Sequence, residues 1–203
     1  MNRRDLFRLA LAPLLTAALQ PTQQDQADLS RIENYLDTLR TLKARFLQVA
    51  PNGAVAQGTA WLERPGRMRF QYDPPSPLLL VAGYGVVMFR DSSLDQTTNI
   101  PLSQTPLGIL LADKVHLGGD VTVTDVQRMP GQIQLSLVRT ASPGDGTLTL
   151  IFADNPLVLR QWTVLDAQRQ ETRVTLYNVE TGGQFDPKLF APIDPKFGGA
   201  HPG

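Results

Sequence analysis

The side chains most suited to chemistry are few and scattered along the chain. His116 and His201 are the only imidazoles, and there is no cysteine. A metal centre needs several nitrogen, sulfur or oxygen ligands converging on one point. His116 stands in a loop with no second ligand type beside it, and His201 lies in a Pro- and Gly-rich end, so no metal is expected. The carboxylates are equally dispersed: Asp91 and Asp95 by a turn, Asp120 and Asp125 flanking a strand, Asp166 at a strand end. Aspartate favours such places because its side chain bonds nearby backbone N–H groups, so these read as turn and cap residues. The chain carries no G-x-S-x-G, no phosphate loop and no dinucleotide fingerprint. Gly83-Tyr84-Gly85 lacks both the third glycine and a following helix. No catalytic residue, cofactor or enzymatic activity is expected.

Composition points the same way. The apolar share of 42% supports a core and argues against disorder. Sixteen glycines and sixteen prolines imply many turns, which suits β architecture. The zero net charge offers nothing to recruit phosphate backbones, so nucleic acid is not an expected partner.

Residues 1–18 have the form of an export signal. Arg3 and Arg4 supply its charge, Leu9 to Leu15 its apolar stretch, and Thr16, Ala17 and Ala18 its small residues for cleavage. The paired arginines followed by Asp5, Leu6, Phe7 and Arg8 are twin-arginine-like; an ordinary secretory signal that happens to hold two arginines is the other possibility. The apolar stretch is far shorter than the roughly 20 residues of a spanning helix. Cleavage removes Arg3, Arg4, Arg8 and Asp5, taking the counts from 19 basic and 19 acidic to 16 and 18. The expected compartment is a bacterial periplasm. Without any cysteine there is no residue for N-terminal lipidation, so the mature chain is expected to diffuse freely.

The elements that must carry any site follow from periodicity. Residues 19–27 read as a flexible leader, 28–192 as one domain and 193–203 as a tail. Leu29, Ile32, Leu36, Leu39, Leu42 and Phe46 recur at helical steps, with Arg31, Glu33, Asp37, Arg40 and Lys43 between them, predicting one amphipathic helix over 29–46 with those charges solvated. Beyond it the period becomes two. Met68, Phe70 and Tyr72 alternate with Arg67, Arg69 and Gln71, and Ile133, Leu135 and Leu137 or Leu148, Leu150 and Phe152 do likewise. Eleven strands result: 46–49, 54–63, 67–73, 78–82, 86–91, 96–103, 121–129, 132–140, 147–153, 157–165 and 171–180. Short loops between them suggest an antiparallel meander. Thr105-Pro106, a cap and first helical residue, opens one or two helical turns over 106–112. A further turn is expected over Asp186–Phe190.

A strongly twisted eleven-stranded sheet encloses more interior than its own side chains need to fill. The segment with Leu107, Ile109, Leu110 and Leu111 is too short to be stable alone. It is either a permanent core plug or a removable lid over a ligand cavity.

Ala44-Arg45-Phe46-Leu47-Gln48, then Gly58-Thr59-Ala60-Trp61-Leu62-Glu63-Arg64-Pro65-Gly66-Arg67-Met68-Arg69-Phe70, then Gly83 with Phe89, Gln104-Thr105-Pro106-Leu107 and Phe190-Ala191-Pro192 occur in an order and spacing that resemble the outer-membrane lipoprotein carrier family (LolA-like). The likeness spans Leu29 to Phe190. It implies a mainly β fold, an unclosed antiparallel β-barrel with a helical lid over an apolar cavity. It also implies a monomeric periplasmic carrier that binds lipoprotein acyl chains, taking them from an inner-membrane ATP-driven release complex to an outer-membrane acceptor or the outer membrane itself. By this resemblance Arg64 latches the lid through backbone carbonyls, the lid holds Leu107, Ile109, Leu110 and Leu111, and the cavity is lined by Trp61, Met68, Phe70, Phe89, Leu135, Phe152 and Leu176. On residues alone, Arg64 could equally be a surface arginine beside Trp61. Ala82 stands where the family often has aspartate, and little chain follows Pro192 for any extra C-terminal element. A lipid or lipoprotein sensor, or a carrier of a free lipid, would share the fold.

Overall fold

The computed structural model describes residues 22–191. The expected export signal, residues 19–21 of the leader and the 193–203 tail lie outside them. Helix α1 runs over Gln23–Thr38. It begins inside what the composition suggests is a flexible leader, because Thr22 and Asp25 form a reciprocal cap. The Thr22 hydroxyl accepts the Asp25 N–H at 3.1 Å and the Asp25 carboxylate accepts the Thr22 N–H at 2.8 Å. The helix buries Ile32 and Leu36. It does not continue to Phe46. Leu39 caps it, and Thr41–Val49 forms strand β1 with Leu42, Ala44 and Phe46 buried. Leu42 and Phe46 are four residues apart, a spacing that fits one helical turn and also the even period of a strand.

The other strands match their expected positions to within one or two residues. β2 (Val55–Glu63), β3 (Arg67–Tyr72), β4 (Leu78–Gly83), β5 (Val86–Asp91) and β6 (Gln96–Pro101) follow one another. The segment 102–120 carries α2 (Leu107–Leu110), and β7 (Val121–Met129), β8 (Gln132–Arg139), β9 (Gly146–Ala153), β10 (Val158–Asp166) and β11 (Glu171–Thr181) come next. All pair antiparallel in the order β6-β5-β4-β3-β2-β1-β11-β10-β9-β8-β7. Two meanders therefore meet along β1 and β11, and β6 and β7 are left as edges. The barrel is unclosed at that gap, and the chain crosses it through α2.

One continuous core fills the concave face, with Phe46, Phe70, Phe152 and Trp162 from the sheet against Ile32 and Leu36 of α1 and Ile109–Leu111 around α2. A smaller group sits on the opposite face of the sheet. There the turn Pro187–Phe190 brings Phe190 to where Val81 and Met88 are buried, and Arg69 Nη1 donates to the Leu189 carbonyl at 3.1 Å. Gly83 is required there, since a Cβ would stand 2.6 Å from the Phe190 carbonyl oxygen.

The start of α1 is tied to the sheet by charge. Asp28 is 1% exposed. Arg128 of β7 donates from Nε to Asp28 and from Nη2 to Asp25, both at 2.6 Å, while Arg31 bridges Asp28 at 3.1 Å and Asp154 at 2.9 Å. Burial alone would raise the Asp28 carboxyl, but the donors Arg128, Gln24 and Arg31 outweigh it and hold it below its usual value. The Thr22 hydroxyl, then Arg128, holds Asp25 at about 2. A carboxyl depressed in the folded state stabilises it fully above its unfolded value, about 4, and loses that contribution as pH falls toward the folded value. Hydrogen exchange in the first turns of α1, taken relative to the intrinsic rate at each pH, is therefore expected to accelerate between about pH 4 and pH 2. Asp28→Asn should speed it already at pH 7 and flatten this dependence; a titration that leaves wild type and variant alike would contradict the anchor.

Candidate functional site

Arg64 follows β2 directly and opens the turn into β3. It is 4% exposed, so it is no surface residue beside Trp61. Its backbone N–H bonds the Arg40 carbonyl at 2.8 Å, which turns the side chain inward. The guanidinium then meets backbone carbonyls only. Nη1 donates to Leu36 and, at 3.5 Å, to Leu39; Nε donates to Ala112 at 2.8 Å and Nη2 to Asp113 at 3.2 Å. The last turn of a helix leaves carbonyls without intrahelical partners and carries partial negative charge. α1 has no basic residue in its own last turn, and Arg64 supplies the missing cation there while also holding the residues just after α2. Burial lowers the Arg64 guanidinium from its usual value, with Arg40 adding to the effect, so the charge is kept at a cost that the carbonyl bonds offset.

More contacts seat the α2 segment. The Gly66 N–H donates to the Leu111 carbonyl at 2.8 Å, and Arg40 bonds the Asp113 carboxylate at 2.7 Å. Glu33 accepts the Leu117 N–H and Asp37 the Val115 N–H, so these two are not simply solvated as the helical pattern suggests. His116 contacts Glu33 at 3.1 Å, outside any cluster of ligand types. The expected Thr105 cap is not formed. Pro106 occupies the N-cap position, and the Thr105 hydroxyl bonds back to the Leu102 carbonyl at 3.0 Å. Ile109, Leu110 and Leu111 are buried in the core, and Leu107 is half-buried at its margin.

The residues expected along the cavity divide. Met68, Phe70, Leu135, Phe152 and Leu176 face the concave side and are buried. Trp61 faces the other way. In β2 the buried positions are Gly58, Ala60 and Leu62, and Trp61 lies across from exposed Lys43 and from Arg69 on the convex face. Phe89 belongs to the concave face by register, opposite Leu80, but at 36% exposure it stands at the uncovered margin near β6. Residues outside the expected set join the wall: Phe46, Leu62, Leu150 and Trp162. Trp162 is inward because β10 slips register between Leu159 and Gln161. A bulge of this kind changes which residues share a face and leaves no mark in a period-two pattern.

The space expected to be a cavity is occupied here by side chains of α1 and the α2 segment. Two surface clefts lie elsewhere. One, of about 540 Å³, sits between Arg67, Tyr84, Pro187 and Phe190. The other, about 330 Å³, is polar and lies among Gln134, Thr149, Gln161 and Arg173. No helix among the described residues is long and apolar enough to cross a membrane. The arrangement among the described residues is one of apolar filling behind a hydrogen-bonded cover.

Similarity to known proteins agrees with it. Residues 37–192 match the family described as "Outer membrane lipoprotein carrier protein LolA". An outer-membrane lipoprotein carrier protein of Methylococcus capsulatus is 32% identical over 191 residues, covering 90% of both chains. One of Azotobacter vinelandii is 29% identical over 196 residues, 91% of this chain and 93% of the relative. Among solved structures, a DUF1329 family protein from Desulfovibrio piger superposes with a TM-score of 0.50 over 83% of this chain and 96% of that one; at 10% identity this is likeness of fold alone. A family match over most of the described residues, and a relative nearly one-third identical across nine-tenths of both chains, establish that this chain belongs to the outer-membrane lipoprotein carrier protein family.

Proposed function

We propose that the protein is a periplasmic carrier that takes up the acyl chains of lipoproteins by displacing α2 from the barrel interior and releases them when α2 returns. The observation that carries this reading is the buried Arg64, which holds the end of α2 by its backbone and not by a side-chain partner. Such a hold secures a position without fixing it permanently. Four residues cannot sustain a helix alone, so α2 is ordered only by what it packs against.

The energies are matched. Burying an acyl chain is worth about 0.8 kcal/mol per CH₂, so a sixteen-carbon chain in water costs on the order of 13 kcal/mol. Ile109, Leu110 and Leu111 together gain roughly 5–9 kcal/mol from burial. The Arg64 bonds to Ala112 and Asp113 add about 1.5–3 kcal/mol each. Lid and a single acyl chain thus compete within a few kcal/mol for the same interior. In this reading the donor is an inner-membrane ATP-driven release complex, and the recipient is an outer-membrane acceptor or the outer membrane itself. Met68, Phe70, Leu135, Phe152 and Leu176 form the wall against the chains.

Incubating the mature protein with membranes bearing a triacylated lipoprotein should move that lipoprotein into the soluble fraction, bound to the carrier. Native mass spectrometry of protein isolated from its host should find acylated polypeptide; a glycerolipid alone would replace this reading with that of a free-lipid carrier. Arg64→Leu should retain cargo and fail to hand it on, with exchange of the 107–113 amides rising at least tenfold from the loss of two charged hydrogen bonds. Unchanged handover would show that Arg64 is no latch.

A further inference from the structure

Arg64 holds the C-terminal end of α2. The N-terminal end meets a different cation, to which the resemblance assigns nothing. Arg139 is the last residue of β8, and it continues the inward alternation of Ile133, Leu135 and Leu137. Its Nη2 reaches the Thr105 carbonyl, just before α2, at 3.4 Å. The same nitrogen lies against Gly108, where a Cβ would stand only 2.2 Å from it and 2.6 Å from the Leu102 carbonyl oxygen. No carboxylate among the described residues pairs with Arg139, and its Nε is buried without a hydrogen-bond partner.

A guanidinium is expensive to keep half-satisfied unless the place it occupies matters. Here that place is against the backbone of α2, in room that only a glycine leaves. We infer that Arg139 and Gly108 form a second catch on the lid, weaker than Arg64 and acting at its opposite end. The catch consists of one long bond to Thr105 and of contact between the guanidinium and the bare Cα of Gly108. An unequal pair of catches makes the Thr105 end of α2 the first to lift, while Arg64 keeps the Ala112–Asp113 end in place. Arg139 is thus a positioning residue for lid closure. The inference rests on α2 acting as the lid of the carrier, but its test needs no cargo.

The test is amide exchange over 105–113 in the empty, full mature protein, with the Leu148–Phe152 amides of β9 as internal reference. Arg139→Leu should raise exchange at 107–110 by roughly three- to tenfold, the equivalent of one weak hydrogen bond, while 111–113 and β9 change little. Arg139→Lys should recover at least half of that effect, because its ammonium still reaches the Thr105 carbonyl. Gly108→Ala should loosen the same residues. Its effect should be smaller in the Arg139→Leu background, since one of its two clashes is then gone. Exchange at 107–110 unaffected by Arg139→Leu, or strictly additive effects of the two substitutions, would overturn the catch. If the exchange results hold but the protein extracts no lipoprotein, the catch stands and the carrier reading falls.

Discussion

The unpaired edges β6 and β7 leave a concave apolar face that would be open to water if strands alone formed the fold. A sheet that closed would have removed its edges. This one stops at eleven strands, with β1 and β11 side by side at its centre and the chain itself bridging the gap. The placement of the helices and the buried Arg64 both answer that one opening. α1 and the 102–117 segment are there because the sheet cannot cover itself.

The two covers are secured by different physics. α1 is a full helix with its own cap, a buried apolar stripe and an ionic anchor through Asp28, and Tyr35 adds a hydrogen bond from the Leu159 N–H at 3.0 Å and an edge contact to Phe152. α2 has four residues, no side-chain cap and mostly backbone-directed bonds. Replacing its three buried aliphatic side chains by an acyl chain exchanges like for like, with little loss of dispersion or solvent exclusion. The same exchange at α1 would break the network around the buried Asp28, which is far more costly than losing the exposed Arg40–Asp113 pair of the α2 segment. α2 is therefore the more weakly held of the two covers.

Much of this was legible in the sequence, for physical reasons. Strands with one buried face advertise their period, so their number and nearly all their limits could be read from alternation, and Met68, Phe70, Leu135 and Phe152 with it. The end of α1 was not legible, since Leu42 and Phe46 satisfy both periods and only tertiary pairing with β2 and β11 decides between them. Trp61 was misplaced because size and apolarity suggest burial, whereas its parity with Ala60 and Leu62 puts it outside. Trp162 was hidden by a bulge. The charged residues were hardest. Asp28 lies just before the predicted helix and Arg139 inside a predicted strand, and inward charge is rare enough that a pattern of apolar residues never asks for it. Arg64 was found only through the family resemblance; nothing in its local pattern announces a buried cation.

The convex side shows what holds the turn that carries Arg64. The turn holding Arg64 joins β2 to β3, and β3 pairs with β4, whose Val81, Ala82 and Gly83 are buried in succession. Consecutive burial in an antiparallel strand requires cover on both faces. The core covers one face, and the Pro187–Phe190 turn, held by Arg69 and by the close approach at Gly83, covers the other. Arg67 adds its guanidinium 6.0 Å from the Phe190 ring centre. The strands that carry the Arg64 turn are thus clamped between two apolar layers. In the proposed carrier, a fixed cation facing a displaceable backbone would make closure a return to a prepared site, and would let the same few hydrogen bonds favour release without obstructing entry.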